Sequence, residues 1–198
     1  MHQEVRRVAT AVGMALLLGS AAATADDVTD AVNDALQSYQ AGNLNEAAGG
    51  LEYAAQLIRQ KRGGDLVSLL PAPLSGWEAG EPDTQAMGAM AMGGMVSAER
   101  EYTRDEARIT VRLVTDAPML QGMMMLFNNP ALAASDGARL ERISGQKALV
   151  KYDSGEQSGD VNVAIAGRIL VTVEGEGVSR DDLTAYAAAV DYGQLSKL

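Results

Sequence analysis

The segment GGMVSAEREYTRDEARITVRLVT, residues 93–115, decides the fold. It holds two runs in which every second residue faces the same way, as in half-buried strands. The alternating positions are Val96, Ala98, Arg100 and Tyr102 in the first run and Ile109, Val111 and Leu113 in the second. Residues 103–107 between the runs are mostly charged, as suits a hairpin loop. The segment therefore predicts an antiparallel pair of strands.

The residues on either side extend this hairpin into an α+β fold, an antiparallel sheet flanked by helices and preceded by an αα-hairpin. Upstream, apolar residues recur at helical spacing over 26–62, with a break at Gly42 and Asn43. Cations and glycines at 61–64 predict the end of the second helix, and 65–70 a further short helix before Pro71. This divides the chain into residues 26–70 and an α+β domain over 71–198.

Downstream, the pattern predicts one apolar helix, four more strands and a last helix. Asp116 is expected to cap the first of these helices, which runs to Phe127. Ser179, followed three residues later by Asp182, predicts a capping box for the last helix. The expected elements are strands over 139–144, 147–152, 161–165 and 169–173, and a helix over 180–190.

Residues 1–25 have the organisation of a signal peptide. Arg6 and Arg7 precede an apolar run over 8–19, and the small residues 23–25 form a cleavage site before Asp26. The run is short for a membrane span, so no retained anchor is expected. No cysteine is present to carry a lipid. We expect a periplasmic or secreted protein that begins at Asp26.

Charge and residue types exclude several kinds of function. Loss of residues 1–25 removes Glu4, Arg6 and Arg7 from 26 acidic and 16 basic residues, leaving 25 and 14 and a formal charge of −11. Nucleic acid and anionic membranes are therefore not expected partners, because they require clustered Lys and Arg. The single histidine, His2, lies within the predicted signal peptide. Histidine catalysis and histidine metal ligation are thus excluded from the mature chain.

The loop predicted at 80–95 is rich in Gly and Met. Thioethers bind Cu(I) in oxidising compartments, so Met87, Met90, Met92 and Met95 form a candidate copper site. Met119, Met123, Met124 and Met125 lie downstream and could add further sulfurs. The alternative is a glycine-rich loop with incidental methionines, since Met also fills loose apolar surfaces.

A second candidate site would bind an apolar ligand. The helix carrying Met119, Met123 and Phe127 is apolar on most sides, and it either packs on the sheet or lines a cavity. Trp77, the only tryptophan, is either a stacking platform for that ligand or a core anchor between helices and sheet. Both interpretations stay open on sequence alone.

Carboxylates at strand spacing are the remaining chemical candidates. Glu99 with Glu101, and Glu174 with Glu176, each share one face of a strand. Such pairs could raise one another's pKa for a hydrolase, or hold a hard cation. The simpler interpretation is that they are solvated charges that protect a sheet edge from pairing.

Two resemblances to known families add to these expectations. Residues 35–57 resemble the turn and second helix of a tetratricopeptide unit, a peptide-binding class, although a solenoid needs about three such units. The element order over 71–195, with Leu70, Pro71, Gly76 and Trp77 ahead of the hairpin, resembles the Mog1/PsbP-type fold and is similar to uncharacterised exported bacterial proteins. This resemblance implies a non-enzymatic binding or assembly-accessory module, and it supplies no catalytic or binding motif.

The expected function is therefore an exported, non-catalytic accessory or binding protein of the cell envelope. Its partner would be an envelope protein or a small apolar ligand. The alternative is a periplasmic, methionine-rich Cu(I)-binding protein, and a carboxylate-dependent hydrolase is the third hypothesis. No cofactor is expected other than that copper ion.

Overall fold

A computed structural model describes residues 26–86, 95–116 and 119–198. It confirms the α+β class, with an antiparallel sheet, flanking helices and an αα-hairpin in front. The predicted signal peptide and most of the methionine-rich loop lie outside the described residues. The helices are α1 Asp27–Gln40, α2 Leu44–Ser68, α3 Leu120–Asn128, α4 Pro130–Ser135, α5 Arg180–Ala189 and α6 Tyr192–Leu195. The strands are β1 Glu78–Ala79, β2 Asp83–Ala86, β3 Val96–Arg104, β4 Ala107–Thr115, β5 Arg139–Ile143, β6 Gln146–Asp153, β7 Ser158–Ile165 and β8 Ile169–Glu176.

The strands form one sheet in the order β1-β3-β4-β8-β7-β6-β5, and β2 also pairs with β3. Every neighbouring pair is antiparallel. The β3–β4 hairpin is tighter than predicted, because only Asp105 and Glu106 form its turn, with Asp105 at φ 53°. Tyr102 lies opposite Ile109, in the register that the alternation requires.

One face of the sheet carries the main core. Alternate residues of β3, β4, β7 and β8 point into it, and the second half of α2 packs over it together with α5 and α6. The predicted capping box at Ser179 and Asp182 is present at the start of α5. The buried strand residues on this face include Val96, Ala98, Tyr102, Ile109, Val111, Leu113, Val161, Val163, Val171 and Val173.

Among the described residues, only one end of the opposite face is covered. There α3 and α4 pack through Leu120, Phe127 and Ala133 onto strand residues that include Leu149 and Leu170. The rest of this face carries polar side chains toward solvent. The sheet therefore separates a deep apolar core from a partly open polar surface.

The predicted end of the second helix at 61–64 is wrong, because α2 continues without a break to Ser68. Gly63 lies against the sheet, where a Cβ would stand 3.6 Å from Thr84 Cβ and 3.8 Å from Val96 Cγ1. These are ordinary van der Waals distances, so Gly63 is a packing position inside the helix rather than its end. Leu66 and Leu70 then enter the main core. The short helix expected at 65–70 is thus the last part of α2.

Two further predictions need correction. Part of the loop expected at 80–95 is a strand, because β2 pairs with β3 along its edge. Asp116 does not cap a helix: its φ is 56°, and its carboxylate forms ion pairs at 3.3 Å with both Arg62 and Arg168. The helix begins later, at Leu120, and Met119 offers no side-chain cap.

Helices α1 and α2 meet through small residues. Ala31 and Ala35 of α1 and Ala47 and Ala54 of α2 are their buried residues along this contact. At Gly50 the two backbones come so close that a Cβ would stand 2.9 Å from the Cβ of Ala35 and 3.2 Å from its Cα. The hairpin is therefore closed by backbone proximity rather than by large side chains.

Adjacent glycines provide a test of this contact. We expect Gly50→Ala to lower the free energy of unfolding by about 1–3 kcal/mol, since the added methyl group forces α1 away from α2. Gly49→Ala is the matched control, because nothing lies within 4 Å of its Cβ position. Alanine in place of glycine at such an open helical site should raise the free energy of unfolding by about 0.5–1 kcal/mol. Urea unfolding, monitored by circular dichroism, measures the free energy of unfolding of both variants. Equal changes in the two variants would contradict the close contact.

Candidate functional site

The structure places Trp77 in the core rather than at a surface. Its side chain is 6% exposed and meets the ring of Tyr186 edge-on, with ring centres 5.3 Å apart. The guanidinium of Arg104 lies 4.4 Å from the centre of the Trp77 ring. This cluster lies on the main-core face of the sheet, where Tyr102 also packs on Tyr186. Trp77 is therefore separated by the sheet from the other predicted ligand residues.

Met123 and Phe127 lie on α3, and Met119 directly precedes it. Phe127 is buried against the sheet and Met123 is half-buried beside it, whereas Met119 is 63% exposed. The nearby depression, about 350 Å³ in volume, opens widely to solvent and is lined by Gln121, Met124, Met125, Asn128, Asn129 and Leu132. An enclosed ligand cavity needs walls on most sides. Burial on the sheet thus accounts for the apolar side of α3.

One of the four methionines proposed for Cu(I) lies within the described residues. Met95 is half-buried and packs against Val114, Leu120 and Leu170 at the edge of the sheet's second face. Its thioether therefore contributes to apolar packing. Met87, Met90 and Met92 lie outside the described residues, so the copper hypothesis stays a prediction.

The open part of the second sheet face is polar and internally paired. Arg112 Nε donates to Glu99 Oε2 at 2.7 Å, and Arg108 Nε lies 3.1 Å from Glu101 Oε2. The side-chain amide of Asn162 on β7 links Asp160 of the same strand to Thr172 of β8. It donates to Asp160 Oδ2 at 2.6 Å and accepts from Thr172 Oγ1 at 2.8 Å. These contacts satisfy much of the polar surface without a ligand.

Asp160 is the perturbed carboxyl group on this face. It borders a shallow depression of about 410 Å³ that Glu101, Arg108 and Glu174 also line. Burial raises the pKa of Asp160, and the neighbouring Glu174 and Asp136 carboxylates act in the same direction. Lys151 and the hydrogen bond from Asn162 oppose the rise. The net effect is a raised pKa, so ionisation of Asp160 is less favourable in the folded chain than in the unfolded chain.

The carboxylate pairs predicted from spacing have different environments. Glu99 and Glu101 each pair with an arginine of β4. The idea that Glu99 with Glu101 and Glu174 with Glu176 protect a sheet edge is wrong for both pairs. Strand β3 lies between β4 and the short strands β1 and β2, and β8 lies between β4 and β7. Over 26–86, 95–116 and 119–198, no three Asp, Glu, His or Cys residues are grouped so that they could hold a metal ion.

The most unusual surface is on the αα-hairpin, and it was not predicted from the sequence. Seven large apolar side chains there are 41% to 64% exposed, and six of them, all except Tyr53, form one set. We call this set the apolar hairpin face. Its members are Val32, Leu36 and Tyr39 of α1 and Leu44, Leu51 and Ile58 of α2. The spacing of seven residues between Leu44, Leu51 and Ile58 was the available signal, since such a repeat marks a helix-packing seam.

These six residues lie on one side of the hairpin. In α1, the side chains of the face are rotated about the helix axis away from the line of Ala31 and Ala35, which contacts α2. The rotation is in the direction in which the helix turns. In α2, the side chains of the face are rotated about the helix axis in the same direction, away from the line of Ala47 and Ala54. Because the two helices run antiparallel, offsets in the same rotational sense point to the same side. The face is thus continuous across both helices.

Comparison with protein-family models, with curated proteins and with solved structures finds no match. The resemblance to the Mog1/PsbP-type fold therefore stays a prediction. None of the helices in the described residues is long and apolar enough to cross a membrane. The function has to be inferred from the surfaces above.

The raised pKa of Asp160 predicts a pH-dependent effect of Asp160→Asn. A carboxyl group whose folded pKa lies above 3.8 costs stability once it ionises, and this cost disappears below that pH, where both folded and unfolded chains are protonated. We expect Asp160→Asn to raise the urea midpoint at pH 7 and to leave it unchanged at pH 3. Asp34→Asn, on the exposed surface of α1, controls for the loss of one negative charge. A gain at pH 7 no larger than that of Asp34→Asn would contradict the assignment.

Proposed function

We propose that this chain is an exported, non-catalytic accessory or binding protein of the cell envelope, and that the apolar hairpin face binds a protein partner. The single observation that supports this is the exposure of six large apolar side chains on one side of a helical hairpin. Contiguous apolar surface of this kind is typical of interaction sites in proteins of this size. Apolar residues that are exposed singly are common on protein surfaces and would not indicate a binding site.

A protein partner fits this face better than a small apolar ligand. The face is spread over two helices, whereas small molecules bind in concave sites that enclose most of their surface. The depression beside α3 is open and has polar residues such as Gln121 and Asn128 at its rim. Amphipathic helices and hairpins, by contrast, commonly bind other helices through stripes of apolar residues at this spacing.

The absence of catalysis is part of the proposal and is supported by the polar sheet face. Glu99, Glu101 and Asp160 each bind a neighbouring side chain. Tyr102, whose pKa burial raises to about 12, donates its hydroxyl proton to the Pro71 carbonyl at 2.6 Å. A general acid or base must instead be free to exchange a proton near neutral pH.

Export is supported by the organisation of residues 1–25. Mass spectrometry of the protein recovered from the envelope fraction of a producing cell should give a chain that begins at Asp26. Recovery of an unprocessed chain from the cytoplasm would contradict export without affecting the binding face.

Site-specific photo-crosslinking in the producing cell tests the binding face. A photoreactive amino acid at Leu51 or Leu36 should form a crosslink to protein, because both side chains lie in the apolar hairpin face. Tyr53 is the matched control position: it is 56% exposed, the same as Leu51, but lies about 200° around α2. Crosslinks from Leu51 that are absent from Tyr53 are expected. Equal yields at the two positions, or none at Leu51, would refute the proposed surface.

A further inference from the structure

We propose that the partner of the apolar hairpin face is a second copy of this chain, so that two hairpins form a four-helix bundle. This inference depends on the proposed function, since it names the protein that occupies the same face. Two αα-hairpins that pack face to face are an established route to such a bundle. An interface of this kind is self-complementary, because each copy contributes the same residues.

The distribution of side-chain size supports this arrangement. Within one hairpin the contact between α1 and α2 uses Ala and Gly, while the large apolar residues are directed away from it. Leu44, Leu51 and Ile58 recur at intervals of seven, and so do Val32 and Tyr39. A repeat of seven keeps one stripe facing a neighbouring helix along its whole length. Within residues 26–86, 95–116 and 119–198, these side chains stay 41% to 64% exposed, so the described part of the chain does not cover the stripe.

The charges of the hairpin are compatible with self-association. None of the six residues of the face is charged, and by helical spacing Asp27, Asp30 and Asp34 lie on the opposite side of α1. Two copies can therefore approach without placing these carboxylates together. An anionic membrane is the less favoured occupant, because residues 26–62 carry six acidic and three basic side chains.

The exposed apolar area also suits a dimer. The six side chains are each 41% to 64% exposed, so together they offer on the order of a few hundred Å² of apolar surface per copy. Standard interfaces bury about 800 Å² per partner, and residues at the rim supply the remainder. Covering this face would also stabilise the position of α1, because the contacts of α1 among the described residues are made chiefly with α2.

Sedimentation equilibrium of the purified protein, with the N-terminus that the cell leaves on it, tests the proposal. We expect twice the chain mass at micromolar concentration. Leu51→Glu should raise the dimer dissociation constant at least tenfold, because it places a charge in the apolar seam. Tyr53→Glu introduces the same charge at an equally exposed position and should leave the dissociation constant unchanged. A monomer at 100 µM, or equal weakening by both variants, would overturn the proposal.

Disulfide trapping covers the case in which Leu51→Glu does not fold. The chain contains no cysteine, so Leu51→Cys and Tyr53→Cys each introduce a single thiol. Mild oxidation should join two Leu51→Cys chains, directly or through a short bifunctional thiol reagent, and leave Tyr53→Cys monomeric. Equal yields from the two variants would refute the dimer.

The outcomes also separate this inference from the proposed function. A monomeric protein whose Leu51 position crosslinks to a different protein in the cell would refute the second copy and retain the binding face. Binding of the monomer to vesicles of anionic lipid would refute the dimer in favour of a membrane surface. If Leu51 contacts neither another protein nor a second copy of the chain, both proposals are refuted.

Discussion

The close approach of α1 and α2 at Gly50 and Ala35 is the constraint on which the functional account depends. Helices that meet through Ala and Gly have little room for large side chains between them. The leucines and tyrosine of the hairpin are therefore directed outward, where they cost free energy in water unless another surface covers them. The same geometry that closes the hairpin thus creates its exposed face.

The sheet provides the rigid base for this hairpin. The first half of α2 holds α1, and its second half passes over the sheet, where Gly63 approaches β2 and β3 and Leu66 is fully buried. The hydroxyl of Tyr102 then fixes the chain after α2 by its hydrogen bond to Pro71. One continuous helix therefore connects the apolar hairpin face to the core, so the orientation of the face is set by core packing.

Features with a clear period were predictable from the sequence, and those set by tertiary contact were not. Alternation identified the β3–β4 pair, and the capping box at Ser179 was found from local chemistry. The end of α2 was misjudged because Gly63 suggests a helix stop until the sheet beside it is known. The apolar hairpin face was missed because helical spacing alone does not reveal which apolar stripe a single chain buries. The two possible roles of Trp77 could be separated only by its neighbours, Tyr186 and Arg104.

The central claim is that a second copy of this chain covers α1 and the first half of α2. Hydrogen–deuterium exchange at different protein concentrations measures this most directly. We predict that amides of α1 and of the first half of α2 become more protected as concentration rises, while amides of β4 and β8 do not change. Protection of α1 that is independent of concentration would contradict the claim.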